Sequence, residues 1–243
     1  MQIIKKIWRD HENTEMSLIE HLIELRLRLL LACTIFIVIT LVCILYVKQI
    51  SYILQEPAIG IKFLQLAPGE YLFVSIKIAI YLGFILSSPF TIYQIILFIL
   101  PGLTPKEIKY IIPLLICSIV LFFLGLVFCF KVLMPATLSF LINYGSDVIE
   151  PIWSFEEYFN FILLLLFSTG ITFQIPIIQI ILGLFEIYSS QQMLTYWQYI
   201  IFFATIFGAV ITPSTDPITQ ILMTSAIVAL YFTSIMILKL LNK

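Results

Sequence analysis

Two carboxylates stand in surroundings that suggest chemistry. Glu24 lies in Ser17-Leu-Ile-Glu-His-Leu-Ile-Glu-Leu-Arg-Leu-Arg28, and Glu107 in Phe98-Ile-Leu-Pro-Gly-Leu-Thr-Pro-Lys-Glu-Ile-Lys109. A pair of carboxylates on one face of a membrane suits a pair of guanidinium groups. The planar fork of arginine bonds a carboxylate bidentately, whereas lysine offers only a point charge. Both residues also have plainer readings. Glu24 pairs with Arg28 one turn later, worth about 0.2–0.5 kcal/mol on an exposed helix, and Glu107 in a first helical turn complements the helix dipole. The residues alone leave these alternatives open.

The elements that must position the two carboxylates can be read from local signals. Ser17 and Glu20 have the spacing of a capping box, so a helix starts there and runs into the first apolar run. Leu18, Leu22, Leu25 and Leu29 form one apolar stripe, from which Glu20 and Glu24 point away. Pro101 and Gly102 end a helix, and Thr104 followed by Pro105 offers an N-cap and a first-turn proline for the next.

Most of the remaining chain is apolar. Hydrophobic residues make up 61% and charged residues 11% of the 243 positions, against roughly 25% charged in a soluble domain, so lipid is the solvent for most side chains. A span needs about 20 apolar residues, which predicts an all-α integral membrane protein with six transmembrane helices near 29–47, 73–97, 110–133, 158–182, 196–211 and 217–238. Residues 1–16 form an N-terminal tail and 17–243 a single polytopic membrane domain. The tail is too short and too acidic for a transit peptide, and the first run reads as a permanent anchor. Lys5, Lys6, Arg9, Arg26, Arg28, Lys106, Lys109, Lys239 and Lys243 gather on one side, which places both termini on the cytoplasmic side or its equivalent. Pro89, Pro113, Pro135 and Pro176 interrupt spans and bend them unless neighbours satisfy the freed carbonyls, and bent helices can enclose a concave face. The fifth span is the shortest, with a start near Met193 as the alternative, and residues 212–217 turn it directly into the sixth.

Several classes lose their candidates. His11 and His21 both precede the first span and no Gly-x-Ser-x-Gly occurs, which leaves a hydrolase or a histidine metal site almost without residues. Cys33, Cys43, Cys117 and Cys129 lack metal-type spacing and read as small packing residues. The reading is therefore of a non-enzyme with no metal, no cofactor and no nucleic-acid partner. A secondary transporter for a small solute is the alternative function, but it predicts an internal repeat, and the two halves show no clear similarity.

The strings His21-Leu-Ile-Glu-Leu-Arg26, Phe63-Leu-Gln-Leu-Ala-Pro-Gly-Glu70, Ser88-Pro-Phe-Thr-Ile-Tyr-Gln94, Leu100-Pro-Gly-Leu-Thr104, Phe173-Gln-Ile-Pro-Ile177 and Ile211-Thr-Pro-Ser-Thr-Asp-Pro217 resemble the TatC family, the multispanning core of the twin-arginine protein translocase. The likeness runs from about Met16 to the last span. The strings around Phe63 and Phe173 look most like the cyanobacterial and plastid branch. The resemblance implies a receptor and scaffold that binds twin-arginine signal peptides of folded precursors. It also implies assembly with small single-span subunits of the TatA/TatB type, within a larger complex holding further copies of this chain. Carried over by motif, Glu24 and Glu107 would contact the two arginines, while Phe98, Pro101, Gly102 and Leu103 would shape the same site. Arg26, Pro57 and Asp216 would be functionally sensitive positions.

Where many bacterial relatives carry Glu in the middle of span four, this chain has Gln174. Gln carries no charge but hydrogen-bonds well, at about 0.6 kcal/mol in membranes. Gln174 is expected on the concave face against a partner subunit; the alternative is that it satisfies backbone freed by Pro176. Spans three to five hold no titratable group in their middles, which argues against a proton relay through this chain. Two arginines supply roughly 3–6 kcal/mol at most, equivalent to a Kd between several millimolar and tens of micromolar, so the apolar part of a signal peptide must add affinity. The branch likeness and the many Ile, Phe and Tyr codons available to an A+T-rich genome suggest a plastid-encoded protein of the thylakoid membrane with stromal termini. A bacterial inner membrane is the alternative.

Overall fold

A computed structural model describes residues 18–58, 60–99, 105–144, 152–211 and 216–241, with backbone alone at 18, 105–109, 111 and 211. The helices are α1 (Leu18–Leu45), α2 (Val47–Gln55), α3 (Glu70–Ile99), α4 (Pro105–Phe128), α5 (Met134–Asn143), α6 (Phe155–Thr172), α7 (Ile175–Leu184), α8 (Ser190–Thr195), α9 (Trp197–Ile211) and α10 (Pro217–Leu240). Among the described residues five helical stretches are long and apolar enough to cross a membrane: Ile19–Leu45, Glu70–Ile99, Ile112–Asn143, Phe155–Leu184 and Pro217–Leu240.

The fifth expected span, 196–211, is the shorter helix α9. Its 15 residues reach only about 22 Å at 1.5 Å each. It does not extend back to Met193. Ser189 and Gln192 form a reciprocal capping box that starts the separate helix α8, and the chain turns at Tyr196 before α9 begins. The architecture is all-α as expected, and outside the helices β1 (Lys62–Leu64) and β2 (Ile152–Ser154) pair in parallel, with Phe63 opposite Trp153.

Each proline has its own local solution. Pro89 stays inside α3 because the hydroxyl of Ser88 donates to the Ile85 carbonyl at 2.7 Å, replacing the backbone donor that the proline lacks. Pro113 also sits within a continuous helix, α4. Pro135 follows one wide π turn, Cys129–Leu133, where the Met134 N–H reaches back to the Cys129 carbonyl; the altered register gives room to a ring that would press on the carbonyl four residues earlier. Pro176 is the one that breaks a span. The chain leaves α6 at Phe173 and restarts at α7 with Gln174 as N-cap.

Helices approach closely where glycines allow it, as expected in lipid, where association depends on packing. α1 lies along α3, and a Cβ on Gly83 would fall on the Thr40 hydroxyl and 3.1 Å from the Thr40 Cα. The break between α6 and α7 rests on α4, where a Cβ on Gly125 would sit 2.8 Å from the Phe173 ring. α7 meets α10 where Gly183 faces the buried Leu238. The main core gathers Leu133, Met134, Phe159, Ile162 and Met223 from the π turn, α5, α6 and α10.

A second cluster unites Leu184 and Leu238, at the ends of α7 and α10, with Tyr110 near the start of α4. α3 ends only a few residues before α4 begins, so the start of α1 and the end of α10 lie at the same end of the bundle. This termini-bearing end holds the candidate site.

Candidate functional site

The first turns of α1 are arranged opposite to those of a helix on a water-soluble protein. Leu22 and Leu29 of the leucine stripe face outward at 64% and 60% exposure, while His21, Glu24 and Arg28 occupy the partly buried face directed at α3. In lipid the apolar face needs no cover, and the polar face seeks partners within the bundle.

Those partners come from the last turns of α3. Arg28 Nε donates to Glu24 Oε1 at 2.8 Å, and Arg28 Nη2 bonds the same oxygen. Arg28 Nη1 donates to Oε1 of the buried Gln94 at 3.3 Å. The other carboxylate oxygen, Glu24 Oε2, is buried and finds no donor among the described residues. One turn nearer the start of α1, the His21 ring stacks on Phe98 with centroids 4.2 Å apart. The structure thus brings Glu24 and Phe98 together across α1 and α3, and it contains the helical Glu24–Arg28 pair that the spacing allows.

The other expected residues are distributed more widely. Glu107 falls in the first turn of α4, with its side chain outside the described residues. Pro101, Gly102 and Leu103 also lie outside them. Arg26 is exposed beside the site. Pro57 is half-buried after α2, at the opposite end of the bundle.

Gln174, half-buried, lies at the break between α6 and α7, and its amide has partners within the chain. Gln174 Nε2 donates to the Ser118 carbonyl at 3.1 Å, and the Ser118 hydroxyl donates to Gln174 Oε1 at 2.5 Å. The amide therefore ties the break to α4 and does not serve the backbone freed by Pro176.

Asp216 is buried at the start of α10. Oδ1 accepts the Thr219 N–H at 2.7 Å as an N-cap, and Oδ2 accepts the Thr219 hydroxyl. Thr219 in turn meets Thr137 of α5, whose hydroxyl reaches the Leu133 carbonyl at 2.8 Å. These contacts give Asp216 a structural duty remote from Glu24.

Residue reading missed three participants. Gln94 closes a recognised string but received no role, because nothing local says that its amide meets a residue 66 positions earlier. His21, a poor candidate for a hydrolase or a metal site in the sequence, serves here as the ring that stacks on Phe98. Glu70 proves to be the organiser of the far end: Oε2 accepts the N–H groups of Leu66 and Ala67, and Oε1 that of Glu156. The preceding Ala67-Pro-Gly-Glu70 turn, with Gly69 at φ +85°, has the proline and glycine a type II turn demands. Lys77, in the first turns of α3, donates to Glu156 at 3.0 Å and Asn160 at 2.8 Å on α6. No cluster of His, Cys, Asp or Glu suited to a metal occurs among the described residues.

Comparison with known proteins accounts for this arrangement. Residues 20–225 match the family model described as Sec-independent protein translocase protein (TatC). An uncharacterized tatC-like protein, ycf43, of Gracilaria tenuistipitata var. liui is 68% identical over 95% of this chain and 97% of its own length. The Sec-independent protein translocase protein TatC of Synechocystis sp. is 50% identical over 96% of this chain and 91% of its own. The chloroplastic TATC protein of Oryza sativa subsp. japonica is 44% identical over 94% of this chain and 64% of its own. A crystal structure of the twin-arginine translocase receptor TatC superposes with a TM-score of 0.81 at 34% identity, covering 92% of this chain and all of that one.

Proposed function

The chain belongs to the TatC family of Sec-independent protein translocase proteins, and on that premise we propose that it is the receptor and core scaffold of a twin-arginine translocase. It is an integral membrane component of a transport system and not an enzyme. Its task in this reading is to bind the twin-arginine signal peptides of folded precursors at the termini-bearing end. It hands them on through assembly with single-span subunits of the TatA/TatB type and further copies of itself. The chloroplastic name of the Oryza sativa relative supports a thylakoid membrane with stromal termini.

The observation that carries the reading is the Glu24 carboxylate, held between α1 and α3 beside Phe98 with one oxygen free of described donors. A guanidinium finds there an acceptor already stripped of water, where a charge-assisted bond is stronger than on an open surface. Glu107, in the first turn of the next helix, supplies the second carboxylate. The outward-facing apolar residues of α1 and α3 offer the surface against which the apolar part of the signal peptide adds affinity.

The test is site-specific photo-crosslinking from positions flanking Glu24 and Glu107 to a precursor carrying Arg-Arg or Lys-Lys ahead of its apolar segment. Crosslinks that require the arginines are expected. Crosslinks indifferent to them, or none, return both carboxylates to helix-end duty.

A further inference from the structure

Arg28 already occupies Glu24 in the way a ligand arginine would, and it does so incompletely. A guanidinium fork normally spreads its two donors over both oxygens of a carboxylate. Here Nε and Nη2 both fall on Glu24 Oε1, while Nη1 is drawn aside to Gln94 Oε1 at 3.3 Å. Glu24 Oε2 is left buried and without a donor among the described residues. The i, i+4 spacing accounts for the existence of the pair but not for a buried acceptor left open beside it, since buried polar groups are nearly always satisfied.

Resting on the receptor reading above, we propose that Arg28 is a resident stand-in for a signal-peptide arginine and sets the selectivity of the site for arginine over lysine. In the empty receptor it occupies Glu24 Oε1 and competes with the ligand for it. An arriving guanidinium bonds Oε2 first, then takes over Oε1, and Arg28 moves fully onto Gln94, which is buried and fixed on α3. A lysine ammonium can meet Oε2 but lacks the second, rigidly placed donor that replaces the Arg28 fork. The residue therefore acts through Glu24 as a positioning and specificity-determining group.

The test uses the full-length protein in detergent or nanodiscs and a labelled peptide with Arg-Arg or Lys-Lys before an apolar segment, titrated by fluorescence anisotropy. Arg28→Lys and Arg28→Gln are both expected to bind the Arg-Arg peptide several-fold more tightly and to gain by a larger factor for the Lys-Lys peptide, so that the preference for arginine shrinks. Arg28→Lys keeps the charge and guards against loss of fold. If Arg28→Gln tightens binding but Arg28→Lys does not, the effect is charge repulsion and the proposal fails. It fails equally if both variants bind at wild-type strength or weaker, or if the preference is unchanged, while Glu24→Gln binds weakly. Wild-type binding by Glu24→Gln would instead overturn the receptor site itself.

Discussion

The carboxylate of Glu70 accepts a 2.9 Å hydrogen bond from the backbone N–H of Glu156, 86 positions further along the chain. Its other oxygen holds Leu66 and Ala67, so a single side chain fastens the loop before α3 to the start of α6, next to the β1–β2 pair. Glu70→Gln replaces one acceptor with a donor that faces N–H groups. Thermal unfolding in detergent should show a clearly lowered midpoint for Glu70→Gln and a further drop for Glu70→Ala. Binding of a twin-arginine peptide at the far end should be retained at temperatures where the variants stay folded. An unchanged midpoint in both variants would mean that the clasp contributes nothing to the fold.

Ser88 and Pro89 are predicted to be coupled. The Ser88 hydroxyl donates to the Ile85 carbonyl, the acceptor that Pro89, lacking an N–H, leaves without its helical donor. Ser88→Ala in the natural background should cost about 1 kcal/mol, the scale of an unmade buried hydrogen bond. In a Pro89→Ala background the same change should be nearly neutral. Equal costs in the two backgrounds, measured in a double-mutant cycle, would dismiss the rescue.

Gln174 and Ser118 should likewise show a coupling of about 0.6 kcal/mol, up to roughly 1.7, as found for polar pairs inside membranes. Gln174→Leu and Ser118→Ala, singly and together, would measure it by unfolding. If Gln174 also meets a partner subunit, Gln174→Leu should lower co-purification of that subunit while Ser118→Ala does not.

Asp216→Ala should destabilise the fold by about 1–2 kcal/mol through loss of an N-cap, with Asp216→Asn closer to wild type because it retains an acceptor for the Thr219 N–H. Peptide binding at the Glu24 site should be unaffected in both folded variants. A binding defect without loss of stability would show that Asp216 acts on recognition directly.

Much was determined before any chain packing. The apolar runs had to become membrane helices, because only helices or closed barrels satisfy the backbone in lipid. The basic residues gather at one set of loops, the fifth apolar run is the shortest, and Glu24 with Arg28 one turn later had to be neighbours. All of these are local: they depend on residue type and on spacings of a few positions. The tertiary structure decided what long-range contact alone can decide. It turned the polar face of α1 inward onto Gln94 and Phe98, and gave Gln174 to Ser118. It also made Glu70 a clasp and recruited Thr137 to the Asp216 cap. Hydrogen bonds between residues tens of positions apart leave no periodicity to read. In lipid, moreover, hydrophobicity does not say which face of a helix is inside; the burial of a few polar side chains and the glycines that let helices touch settle it.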